Sequence, residues 1–97
     1  MKVLNRDEMM TWLTSKGVNV IGTTEQFYGG SEGTGIWVSG EDSPLFSYYR
    51  ESWYNSHGVQ PKLNEQTEKR GWYYEWHDAG TMMIWPIWKK LVEKFGQ

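Results

Sequence analysis

Gly71-Trp72-Tyr73-Tyr74-Glu75-Trp76-His77-Asp78-Ala79-Gly80-Thr81-Met82-Met83-Ile84-Trp85 is the stretch that decides the fold class. Two runs of large apolar side chains flank Asp78-Ala79-Gly80, a loop that suits a type I turn closed by a glycine bulge. Residues 72–77 and 81–85 are therefore expected to pair as an antiparallel hairpin. With that loop, His77 faces Thr81, Trp76 faces Met82, Glu75 faces Met83, Tyr74 faces Ile84 and Tyr73 faces Trp85. Side chains alternate between the two faces of a strand. One face then collects Trp72, Tyr74, Trp76, Met82 and Ile84, the expected core. The other collects Tyr73, Glu75, His77, Thr81, Met83 and Trp85, mixing large aromatics with a carboxylate and an imidazole.

Working outward, the residues before the hairpin read as a surface helix. Pro61 suits a first helical position and Gly71 a stop. Val59, Leu63 and Thr67 form a narrow apolar stripe, helped by the stem of Arg70. After the hairpin, Pro86 opens a short segment whose Ile87, Trp88, Leu91, Val92 and Phe95 share one helical face. At the other end, Asn5 and Glu8 form a capping box and Gly17 an αL stop, which predicts a helix over 6–16. Trp12 lies on its apolar side, and Trp12 and Trp76 are both expected in the core. Residues 19–28, 36–38 and 45–49 read as three strands of a meander, with a glycine-rich loop at 29–35. The predicted order is α-β-β-β-α-β-β-α: an α+β single domain over 1–97 with a mainly antiparallel sheet of about five strands and helices packed on it.

Composition sets limits on function. The chain has 97 residues, 16% of them aromatic, including seven Trp. Mean hydropathy is -0.71, yet disordered chains are poor in aromatics, so a folded domain with an aromatic core is expected. There is no cysteine, which removes disulfides, thiolate metal sites and Cys nucleophiles. Met1–Met10 holds no apolar leader, and the longest apolar run, Met82–Trp88, is too short to span a bilayer. Cytoplasmic localisation without membrane association is the expectation.

The net charge of -2 is unevenly spread. Residues 17–49 carry Glu25, Glu32, Glu41 and Asp42 and no Lys or Arg. Such a span repels phosphates and argues against nucleic acid as the partner. The first five predicted elements share the order of a double-stranded-RNA-binding domain, but His57-Gly58-Val59-Gln60-Pro61 lacks the basic residues that such a domain places there.

Motifs for chemistry are sparse. The 29–35 loop has no P-loop lysine and no G-x-G-x-x-G spacing, so it reads as a hairpin loop. His57 and His77 lack a metal-ligand spacing, even with Glu75 and Asp78 near one of them, so no metal and no cofactor are expected. Glu75 and His77 share a strand face and form the one candidate acid–base pair, but no nucleophile accompanies them. Tyr48, Tyr49, Trp53 and Arg50 are the alternative, a stacking platform for single-stranded nucleic acid.

The stretch Gly71–Thr81 resembles small bacterial and phage proteins to which no established activity attaches. The resemblance implies action by blocking a host protein. Together with the charge pattern it gives the expected function: a non-enzymatic protein-binding module, of the kind that inhibits a host nucleic-acid-handling complex. Glu32, Glu41, Asp42, Tyr73, Glu75, His77 and Trp85 are the expected contacts to a partner with a basic surface.

Overall fold

The computed structural model describes residues 3–29, 34–41, 44–47 and 58–87. The described elements run α1 (Arg6–Ser15), β1 (Val20–Thr23), α2 (Thr24–Tyr28), β2 (Ile36–Ser39), α3 (Pro61–Lys69), β3 (Trp72–Asp78) and β4 (Thr81–Pro86). The four strands form one antiparallel sheet in the order β1-β2-β4-β3. The α+β class is as expected, but the described sheet has four strands rather than five.

The termini of α1 follow from its sequence. The Asn5 side chain accepts from the Glu8 N–H at 2.8 Å, and the Glu8 carboxylate accepts from the Asn5 N–H at 3.1 Å. At the other end Val18 N–H bonds Leu13 O and Gly17 N–H bonds Thr14 O, both at 3.1 Å. Gly17 makes this reversal at φ +89°, a conformation that penalises any Cβ.

Two strand expectations change. Residues 19–28 divide into the short β1 and the single-turn α2, because Thr23 and Gln26 close a reciprocal capping box and Gly29 ends the turn in the left-handed region. Residues 45–49 were expected as a strand. Within the described part only Phe46 bridges to Val59, supported by bonds from Ser47 N–H to Gly58 O and from Gln60 N–H to Leu45 O. The inserted α2 interrupts the α-β-β-β-α order shared with a double-stranded-RNA-binding domain. The helix expected after Pro86 and the cluster Tyr48, Tyr49, Arg50 and Trp53 lie outside the described residues.

The hairpin keeps its predicted register from Tyr73↔Trp85 to Trp76↔Met82 and departs at the tip. Thr81 pairs with Asp78, not with His77, and the irregularity falls between Trp76 and Asp78. Gly80 is not among the described glycines with positive φ, so the extra residue is His77 on the β3 side rather than a left-handed glycine. The Asp78 carboxylate accepts from the Gly80 N–H at 2.9 Å and shapes the turn instead.

The core lies between one sheet face and the α1 and α3 helices. Met9 and Leu13 from α1 and Leu63 from α3 meet Ile36, Val38, Trp72, Tyr74, Met82 and Ile84 from the strands. Trp72 is fully enclosed and donates its indole N–H to Leu4 O at 2.9 Å. Trp12 and Trp76, expected at the centre, are half-buried at its margins. The Trp12 ring is capped by the Arg70 guanidinium, 4.1 Å from its centroid. Trp76 lies over Gly40, where a Cβ would collide with its ring, and packs edge-on to Phe46.

Buried polar groups on this side are satisfied. Thr67 Oγ1 donates to Leu63 O at 2.8 Å and so spends its only proton there. The Tyr74 hydroxyl, 2.7 Å from the same Oγ1, must therefore be the donor of the second bond. Burial pushes the Tyr74 phenol well above its usual range.

Candidate functional site

The opposite face of the sheet is built by the alternate residues: Gly22 and Trp37 on β1 and β2, Met83 and Trp85 on β4, and Tyr73 and Glu75 on β3. Two regions divide it. Towards the hairpin tip, α2 lies on the sheet through Phe27. The Phe27 ring meets Trp37 edge-on at 5.0 Å and His77 at 4.8 Å. Tyr28 adds a second edge contact to His77 at 6.0 Å. Phe27 thus touches rings on both strands flanking β4, and Met83 between them is 1% exposed. Met83, expected on the outward face, is there but covered.

The other region is open. Tyr73 stands directly opposite Trp85, and Glu75 follows two positions along the same face. The Trp85 indole N–H leans diagonally across the strands and donates to Glu75 Oε1 at 3.2 Å. Beneath it the Trp85 ring crosses Gly35, where a Cβ would meet ring carbon Cε3 and the Thr24 methyl at less than contact distance. Gly35 is held in place: its N–H donates to Thr24 Oγ1 and its carbonyl accepts from Thr24 N–H, both at 3.1 Å. The last glycine of the 29–35 loop is therefore a buried seat for an aromatic ring, which no local pattern announces. Tyr73 is 39% exposed and Ile87, whose N–H bonds Gly71 O, is 40% exposed. Ile21 on β1 and Tyr28 on α2 are the other exposed large apolar side chains among the described residues, at 49% and 47%.

The expected site residues do not all meet. Tyr73, Glu75 and Trp85 come together. His77 is drawn off to Phe27 and Tyr28, and no hydrogen bond between Glu75 and His77 occurs among the described residues. The geometry gives no support to an acid–base pair, since Glu75 is bonded to an indole and the imidazole packs against rings. Glu41 is exposed but stands at the other end of the hairpin, its carboxylate beside Gly80. Glu32 and Asp42 lie outside the described residues. One further acid of the 17–49 span is already neutralised: Glu25 accepts from the Arg6 guanidinium at 2.8 Å and ties α2 to α1. The Arg6 hydrogen bond holds the Glu25 carboxyl below its ordinary range.

The described Lys and Arg residues are confined to the helix layer, which also carries Asp7, Glu8, Glu65 and Glu68. Arg6, Lys16, Lys62, Lys69 and Arg70 all belong to α1 or α3 or to their C-caps, whereas Glu75 and Asp78 are on the sheet and Glu41 is at its end. Among the described residues no group of three or more His, Asp or Glu could hold a metal ion, and no helix is long and apolar enough to cross a membrane. Open hollows occur on the helix side, one of about 460 Å³ lined by Met10, Thr11, Thr14, Ser15 and Val20, and another of about 250 Å³ between Lys16, Leu45 and Lys62. Neither brings together groups with a shared chemistry. Compared with protein-family models, with curated proteins and with solved structures, the chain matches none.

Proposed function

We propose that this protein is a non-enzymatic protein-binding module that docks through the open part of its sheet, with Tyr73, Glu75 and Trp85 at the centre. The observation that carries the reading is the exposed Tyr73 ring in register with the half-buried Trp85 and beside the exposed Glu75 carboxylate, on a layer whose described charges are all acidic. Aromatic side chains are enriched at protein interfaces and supply their anchors. Acids around them steer a basic partner and raise its on-rate. A narrower form makes the partner a host nucleic-acid-handling complex that the protein inhibits; it rests on the resemblance of Gly71–Thr81 to small phage proteins and on the acidic 17–49 span.

The test uses three baits from the source lysate: the native chain, a Tyr73→Ser/Trp85→Ser variant and a Lys62→Glu/Lys69→Glu variant of the helix layer. The proposal expects the helix-layer variant to retain the partner that the native chain captures, and the sheet variant to lose it while keeping its circular-dichroism spectrum. Loss confined to the helix-layer variant puts the interface on the opposite side and refutes the proposal.

A further inference from the structure

We infer that the open patch receives an arginine side chain of the partner, with its guanidinium on Glu75 and against the rings of Tyr73 and Trp85; this rests on the docking reading above. Glu75 is an exposed carboxylate whose Oε1 is held by the Trp85 indole N–H at 3.2 Å. That bond fixes the carboxylate against the edge of an aromatic ring that is itself seated on Gly35. Two of the three groups are thus positioned before a ligand arrives, which lowers the ordering cost of binding. Tyr73, across from the half-buried Trp85 in register, supplies an exposed ring.

The charge pattern chooses the occupant. No Lys or Arg among the described residues lies on this face; the five described ones are on the helix layer, where Arg6 pairs with Glu25, Lys69 with Glu65, and Arg70 covers Trp12. An incoming cation at the patch therefore meets the Glu75 carboxylate and the two aromatic rings, with no described Lys or Arg as competitor. Arginine fits better than lysine because its planar guanidinium can fork onto a carboxylate and stack on an aromatic ring at the same time. The contact between Arg70 and Trp12 on the far side of this molecule shows the same pairing made internally.

The experiment titrates the isotope-labelled full chain with a blocked Gly-Ser-Arg-Ser-Gly peptide and with the same peptide carrying lysine or norleucine in place of arginine. The expected result is a saturable shift centred on the Trp85 indole N–H, about tenfold weaker with lysine, absent with norleucine, lost in Glu75→Gln and retained in Glu75→Asp and Glu41→Gln. Equal response to lysine and arginine, a shift centred on Asp78 or Glu41, no shift, or full response in Glu75→Gln overturns the inference. If the peptide fails but the Tyr73→Ser/Trp85→Ser bait still loses its protein partner, the arginine seat falls and the docking face stands. If that bait keeps its partner, the docking reading falls as well.

Discussion

The two faces of this sheet are made from the same residue types and differ in what covers them. On the helix side Trp72, Tyr74, Met82 and Ile84 are enclosed, and their polar atoms find partners at Leu4 O and Thr67 Oγ1. On the other side Tyr73, Trp85 and Glu75 stand two residues or fewer from those positions along the same strands, yet Tyr73 and Glu75 are exposed and Trp85 is only half-buried, its indole satisfied by the Glu75 carboxylate. The same aromatic residue types are enclosed or left accessible according to what packs over them. Among the described elements, α1 and α3 cover one face, and the single turn of α2 covers the tip of the other.

The comparison is broken most severely at Trp72. Replacing Trp72 by Ala removes an enclosed ring and is expected to cost about 3–5 kcal/mol in urea unfolding, most of the margin of a domain this small. Trp12→Ala is expected to cost clearly less, since its ring is half-buried beneath Arg70. Equal losses at both positions would contradict the placement of the core.

A smaller effect comes from the buried hydroxyls. Thr67→Val leaves the Tyr74 hydroxyl without its acceptor in an apolar setting and is expected to cost about 1–3 kcal/mol. Tyr74→Phe in that background removes the stranded group and should restore most of the loss. A double variant as unstable as Thr67→Val alone would show that the bond between the two hydroxyls is not what the Val substitution breaks.

Smaller still is the link between α1 and α2. The Arg6–Glu25 pair is partly exposed and is expected to contribute about 1 kcal/mol or less, so Glu25→Gln should lower stability by that amount near neutral pH. The sign of its pH dependence is fixed. The folded-state pKa of Glu25 lies below its ordinary value of 4.5, so its contribution is present above that value and is lost as pH falls through the folded one. Melting curves of native and Glu25→Gln proteins should therefore converge in acid. A gap that widens in acid would reverse the assignment.

Much of the helix-covered face was legible because its signals are local. Asn5 with Glu8, Gly17, Pro61 and the alternation from Trp72 to Trp76 each act within a few residues, and the register from Tyr73↔Trp85 to Trp76↔Met82 follows from that alternation. The outward face was less legible because long-range packing arranges it. Residues 23–28 have strand-like composition, and only Thr23, Gln26 and Gly29 together signal a helical turn there. The covering of Met83 needs that turn, and the seat under Trp85 needs Gly35, 50 positions earlier in the chain. The exclusion of His77 from the open patch depends on where the extra hairpin residue falls, which Asp78 decides by bonding Gly80. Charge counting along 17–49 likewise could not show that Glu25 is taken by Arg6 from outside the span.

The division of labour between the faces is tested most directly by measuring Trp85→Ala twice on the same preparation, for its melting temperature and for its dissociation rate from the partner captured by the native chain. The account predicts a melting temperature within a few degrees of native, well short of the fall caused by Trp72→Ala, and dissociation about tenfold faster or more, as for the loss of an interface anchor. A Trp85→Ala protein that melts as early as Trp72→Ala, or that releases its partner at the native rate, would contradict it.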